Sequence, residues 1–183
     1  MAYDNVKQVI EEYGIAKKQF EEKMKNAFTD IFETFFRNYP EITAVGWNQY
    51  TPYFNDGDPC EFRIGEFVGV SEGMKNEDGE PLNLDDVRSA YDLEEAVGFP
   101  YGGKPSQYVY DNRHEYSSYE ESIQIYEKGL AENSRYREIC EGWNELTSVL
   151  SSIPDEIFQS AFDDHAFVIA TKDDIEVREY SHD

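Results

Sequence analysis

Carboxylates on short turns are the first residues of this chain that could do chemistry. Asp56-Gly57-Asp58 and Asn76-Glu77-Asp78-Gly79-Glu80 place several of them on Gly-containing turns, which is what a hard cation needs. Neither run has the full calcium-loop spacing with its closing Glu, and Gly, Asn and Asp are also the ordinary residues of tight turns. Gly102-Gly103-Lys104-Pro105 has the look of a phosphate loop. It lacks the preceding Gly and the following Ser or Thr, and Pro105 removes a backbone donor where an anion would need one. Histidine occurs at 114, 165 and 182. Asp163-Asp164-His165 could imitate a carboxylate-oriented base, but no Ser or Cys in a nucleophile signature accompanies it, so a turn His is the reading. A carboxylate pair for acid–base work carries little weight when 39 Asp and Glu are present, because some pair is close in any fold. These residues point to no catalytic group, no metal and no cofactor.

Gly46 to Phe62 (GWNQYTPYFNDGDPCEF) concentrates Trp47, Tyr50, Tyr53 and Phe54 before an Asn-Asp-Gly-Asp-Pro turn. Stacking on bases would need a positive groove, and the surroundings hold Arg63 against Asp56, Asp58, Glu61 and Glu66. The segment reads as a hairpin with an aromatic face and an acidic tip; Trp47 and at least one of Tyr50, Tyr53 and Phe54 are expected to be buried.

Charge is the dominant compositional fact. Against the 39 acids stand 16 Lys and Arg, a formal net of -23 in 183 residues. Residues 1–40 carry seven acids and six bases, residues 41–112 fifteen and four, and residues 113–183 seventeen and six. The first segment is therefore nearly neutral, and the excess sits in the rest. Such an excess stores self-repulsion and disfavours direct contact with a nucleic-acid backbone or an anionic membrane. It suits a basic partner. With 39% hydrophobic and 15% aromatic residues the chain has core material, so the low mean hydropathy of -0.73 reflects charge and not disorder. Cys60 and Cys140 match no zinc or redox spacing and fit a reduced cytoplasmic chain. No apolar run reaches the length of a membrane span, and the start MAYDNVKQVIEEYG lacks a signal-peptide layout.

The elements that must position these groups follow from periodicity. Val6, Ile10, Tyr13, Phe20, Met24, Ala27, Ile31 and Phe35 recur at steps of three and four, with Lys17 breaking the series. They predict one long helix over 6–35, started by Asp4 and stopped by Asn38-Tyr39-Pro40. A second long helix is predicted over about 119–152, with Ser117 or Ser118 as its cap and Ile123, Tyr126, Leu130, Tyr136, Cys140, Trp143 and Leu150 as its seam. A short helix opens at Pro154-Asp155-Glu156. Strands are predicted at 41–47, 60–70, 166–170 and 175–180. Residues 71–112 form a Gly-, Pro- and acid-rich arm with a short helix within 85–97. The whole is one α+β domain, 1–183: an antiparallel sheet of about four strands in two hairpins, packed with two long antiparallel helices.

The segment Gly46 to Asp58 resembles a signature in uncharacterised small proteins encoded by bacteriophages and prophages. The likeness covers the hairpin and the terminal strand pair, about a third of the chain, and implies no particular activity. By charge alone, the chain is also similar to phage DNA-mimic and anti-defence proteins. These likenesses and the charge lead to the expectation of a non-enzymatic inhibitor, acting in a host cytoplasm, that binds a basic, nucleic-acid-binding host protein. The expected partner-binding residues are Asp56, Asp58, Glu77, Asp78, Glu80, Asp85, Asp86, Glu94, Glu95, Asp173, Asp174 and Glu176. An immunity protein or antitoxin against a basic nuclease fits the same charge logic, and a carboxylate-based metal-dependent hydrolase is the enzymatic alternative. Self-association as a homodimer is a further arrangement the sequence permits.

Overall fold

Strand β1 (Ile42–Tyr50) is the spine of the fold, and its run of β-branched and aromatic residues suits a central strand buried on both faces. The computed structural model describes residues 2–54, 57, 59–96, 98–101 and 118–181. On one side β1 pairs with β2 (Arg63–Ile64) and β3 (Val68–Ser71), and on the other with β4 (Ala166–Thr171), which pairs with β5 (Ile175–Glu179). All pairings are antiparallel. The predicted strand over 60–70 is two strands, and the sheet has five. Between the pairs Gly46↔Val68 and Gln49↔Ile64, β1 advances by Trp47 and Asn48 while its neighbour advances by Gly65, Glu66 and Phe67. That extra residue is a bulge, held where the Gly65 amide donates to the Asn48 carbonyl at 2.8 Å.

Register assigns the two faces. Val45, Trp47, Gln49 and Val168 share one face, which meets helix α1 (Ala2–Asn38) and the last helix, α5 (Asp155–Phe162). Trp47 stands 6.0 Å from Phe32 and 5.4 Å from Phe162, and Phe28 contacts both Phe158 and Phe162, forming an aromatic core. Gly46, Asn48, Phe167 and Ile169 share the other face. Helix α2 (Ala90–Glu95) covers it, with Leu93 seated on Gly46 and the Ala90 amide donating to the Asn48 side-chain oxygen at 2.9 Å.

Two features correct the expected pair of long helices. The second breaks at Asn133 into α3 (Tyr119–Glu132) and α4 (Ser134–Ser151). Asn133 leaves helical geometry, at φ -126 and ψ 104, and its side chain accepts from the Tyr136 amide, so the residue ends one helix and caps the next. Helix α4 does run antiparallel to α1, but only along the last turns of α1. There Arg135 reaches Glu41 and the Asn38 carbonyl, and Trp143 lies 6.3 Å from Phe35.

The second correction is in α1 itself. Its apolar seam was expected to pack on another element throughout, yet Val6, Ile10, Tyr13 and Phe20 are 50–68% exposed, and burial begins near Met24. A helix of 37 residues is about 55 Å long, whereas a nine-residue strand spans about 30 Å. The body cannot cover the whole helix, and the N-terminal part projects.

Candidate partner-binding surface

The acidic arm is built from tight local turns and clamped to the sheet at several points. Residues 75–81 close on themselves: Lys75 bridges Pro81, the Asn76 side-chain oxygen accepts from the Glu80 amide at 2.9 Å, and Gly79 takes a φ of 81. These are turn bonds of the ordinary kind, and they leave the carboxylates of Glu77, Asp78 and Glu80 exposed. Ser89 and Asp92 then form a capping box that starts α2, with the Asp92 carboxylate accepting from the Ser89 and Arg88 amides.

The arm wraps the β3 edge of the sheet. Leu93 presses on Gly46 from one face, and Phe99 fills the space over Gly69 on the other, since Val45↔Gly69 pairing puts Gly69 on the face that meets α1 and α5. A Cβ at Gly69 would lie 2.2 Å from the Phe99 ring, so only glycine admits it. Phe99 in turn meets Trp143 edge-on at 5.3 Å. From the opposite edge Arg178 of β5 completes the clamp. Its guanidinium donates to the carbonyls of Leu84 and Val87, grips both oxygens of Glu176, and lies over the Phe167 ring.

Of the seven expected partner-binding residues on this arm, five converge. Glu77, Asp78, Glu80, Asp86 and Glu95 line one groove of about 280 Å³ together with Asp92, which the sequence reading did not single out. No Lys or Arg lines the groove among the described residues, and none of the five makes an ion pair there. Asp85 is exposed just outside, close enough to Arg178 to raise the guanidinium's pKa further, after Glu176. A roomier hollow of about 400 Å³ beside Phe67 and Trp143 has only Glu66 and Asp155 as charged lining.

The other expected residues are placed differently. Glu94 is half-buried and faces a separate hollow with Tyr50, Arg63 and Tyr91. Glu176 serves as the anchor of Arg178, and that hydrogen-bonded guanidinium holds its carboxyl below the usual range. Asp173 and Asp174 sit on the β4–β5 turn, bonded through the Thr171 hydroxyl, on the α1 side of the sheet near Lys25. Asp56 and Asp58 lie outside the described residues, as do His114, His182 and the Gly102–Pro105 run. The ten described residues thus divide into a grooved array on the arm and scattered outliers.

The opening hairpin is part core and part surface. Trp47 is fully buried, Tyr50 is half-buried against Tyr180, and Tyr53 and Phe54 are about three-quarters exposed. Gln49, which no motif marked, is wholly buried. Its side-chain oxygen accepts from the Trp47 indole at 3.1 Å, and its amide donates to the carbonyls of Phe158 and Asp163.

Asp163-Asp164-His165 forms the turn between α5 and β4. The Asp164 carboxylate is taken up by the amides of Thr51 and His165 and by the hydroxyl of Thr51. Burial pushes its pKa upward, but these bonds outweigh it and hold the group low. His165 Nε2 stands 3.9 Å from that carboxylate, and the ring stacks on Tyr53. Burial pushes the Cys140 thiol up to about 11, so it stays protonated at neutral pH. Among the described residues no three His, Cys, Asp or Glu converge as metal ligands, and no helix is long and apolar enough to cross a membrane.

The turn does store strain. Asp163 has φ 65 and ψ 176, a region that is essentially glycine-only, and its exposed side chain makes no hydrogen bond. Asp163→Gly should therefore raise stability by about 1 kcal/mol, the relief of strain less the added unfolded-state entropy. A urea midpoint that stays the same or falls would show that this backbone is unstrained.

Comparison of the chain with protein-family models, with curated proteins and with solved structures found no match.

Proposed function

We propose that this chain is a non-enzymatic binding protein whose acidic arm occupies a basic, nucleic-acid-binding surface of another protein, as a phage-type nucleic-acid mimic does. The observation that carries the reading is the clamped groove: Glu77, Asp78, Glu80, Asp86 and Glu95 are held in one place, with no Lys or Arg among the described residues that line it. Like charges so gathered cost stability, and a cationic partner removes that cost on binding. A fixed array also loses little conformational entropy when it docks, which separates it from a disordered acidic tail. The near-neutral α1 and the sheet serve as scaffold.

The partner's chemistry follows from the array. A surface that normally holds phosphates presents Lys and Arg at spacings suited to anions, and carboxylates can take those positions. The test is capture of partners by the full chain from bacterial lysate at low and moderate salt. The reading predicts that captured proteins are basic nucleic-acid handlers released by salt. Capture that is insensitive to salt, or of proteins without a cationic face, would contradict it.

A further inference from the structure

We propose that the projecting part of α1 pairs with the same segment of a second copy of this chain, as an antiparallel two-helix coil. From Tyr3 to Ile31 the positions 3, 6, 10, 13, 17, 20, 24, 27 and 31 alternate steps of three and four without a break. That is a heptad repeat, whose 3.5-residue period keeps a seam facing one straight partner. Within the projecting part the seam residues are Tyr3, Val6, Ile10, Tyr13, Lys17 and Phe20, and its apolar members are 50–84% exposed. Among the described residues nothing of this chain packs on them. A solitary helical arm of this length, with Gly14 at its middle, has little stability in water without a packed face. The partner must supply one.

Charge selects a second copy, and it selects the orientation. Residues 1–40 hold a single net negative charge of the chain's 23, so this is the one region where two copies meet without strong repulsion. Parallel pairing would bring two highly acidic bodies side by side, whereas antiparallel pairing puts them at opposite ends of the coil. In the antiparallel register Ile10 faces Tyr13 of the second copy, Val6 faces Lys17 and Tyr3 faces Phe20. Lys17 at a seam position weakens the coil and fixes its register, and its ammonium already reaches Glu21 at 3.7 Å. The arm thereby leaves the acidic groove on each body open.

Sedimentation of the full chain tests this. The expected mass is twice the 21.3 kDa of one chain, falling to one chain in Ile10→Glu with Tyr13→Glu, while the tertiary circular dichroism of the body is retained. Lys17→Leu should lower the dissociation constant roughly tenfold or more, since two buried lysines become leucines. In a Cys60→Ser background, Val6→Cys with Lys17→Cys should cross-link on oxidation and Val6→Cys alone should not. A monomeric wild type at all accessible concentrations would overturn the proposal. So would a dimer unaffected by the double glutamate variant, or cross-linking by Val6→Cys alone, which marks parallel pairing.

Discussion

Gln49→Leu is expected to lower the stability of the folded chain by about 3–5 kcal/mol, the sum over two polar groups that lose their side-chain partner. Leucine has similar bulk, so the effect isolates hydrogen bonding from cavity formation. The substitution strands the Trp47 indole N–H, takes the side-chain donor from the Asp163 carbonyl, and leaves the Phe158 carbonyl only its bond within α5, all at the junction of β1, α5 and the turn into β4. A domain with about 5–15 kcal/mol in total cannot lose that without a visible drop in midpoint. For a chain of this size the melting temperature should fall by roughly 6–20 °C. Urea unfolding followed by tryptophan fluorescence is the measurement, because Trp47 reports directly on the site. A loss under about 1 kcal/mol would show that water or a neighbour satisfies these groups after the change.

The second large effect separates geometry from charge. Arg178→Ala makes the chain more acidic, yet it removes the donor pair that fastens Leu84 and Val87 to β5 and leaves Glu176 without its partner. The arm should loosen while the rest of the sheet stays folded, seen as faster amide exchange confined to the arm. Partner affinity is expected to fall at least tenfold even though net charge moves in the favourable direction. Neutralising Glu77, Asp78, Asp85 and Asp86 together to Asn and Gln should also weaken binding, but by slowing association, because exposed rim charges chiefly steer encounter. Arg178→Ala should instead act on dissociation, through a less ordered array. If Arg178→Ala binds more tightly, bulk charge and not a fixed arrangement governs recognition.

The sequence makes the element types plain where periodicity is strong, and silent where contacts between distant residues decide. Runs of β-branched, aromatic and small apolar residues mark β1 and β4, and the Ser118 cap and Asp155-Glu156 start of α5 are readable as local chemistry. Periodicity in α1 is equally clear, but a seam does not state what covers it; only the length of the strands beside it shows that Val6 to Phe20 outrun the body. Asn133 falls in the six-residue step between Leu130 and Tyr136 of the apolar seam, a gap that marks a weak point without stating that the helix ends, and its capping role depends on α3 and α4 turning against each other at Tyr126 and Tyr136. The bulge at Gly65 shifts the 60–70 register by one residue, which composition cannot encode visibly. At the site, the carboxylates of the arm are legible as a charge run, and Ser89-x-x-Asp92 is legible as a cap. Arg178, Gly46, Gly69 and Gln49 have no local signal, because each acts on a partner many residues away.

Competition with nucleic acid tests mimicry most directly. The captured partner is held with a labelled oligonucleotide, and this chain is titrated in at several salt concentrations between about 50 and 200 mM, where screening of exposed charges changes strongly. Displacement of the oligonucleotide to baseline, with an affinity that drops steeply as salt rises, is the predicted result. A ternary complex in which partner, nucleic acid and this chain coexist without mutual weakening, or an affinity independent of salt, would contradict it.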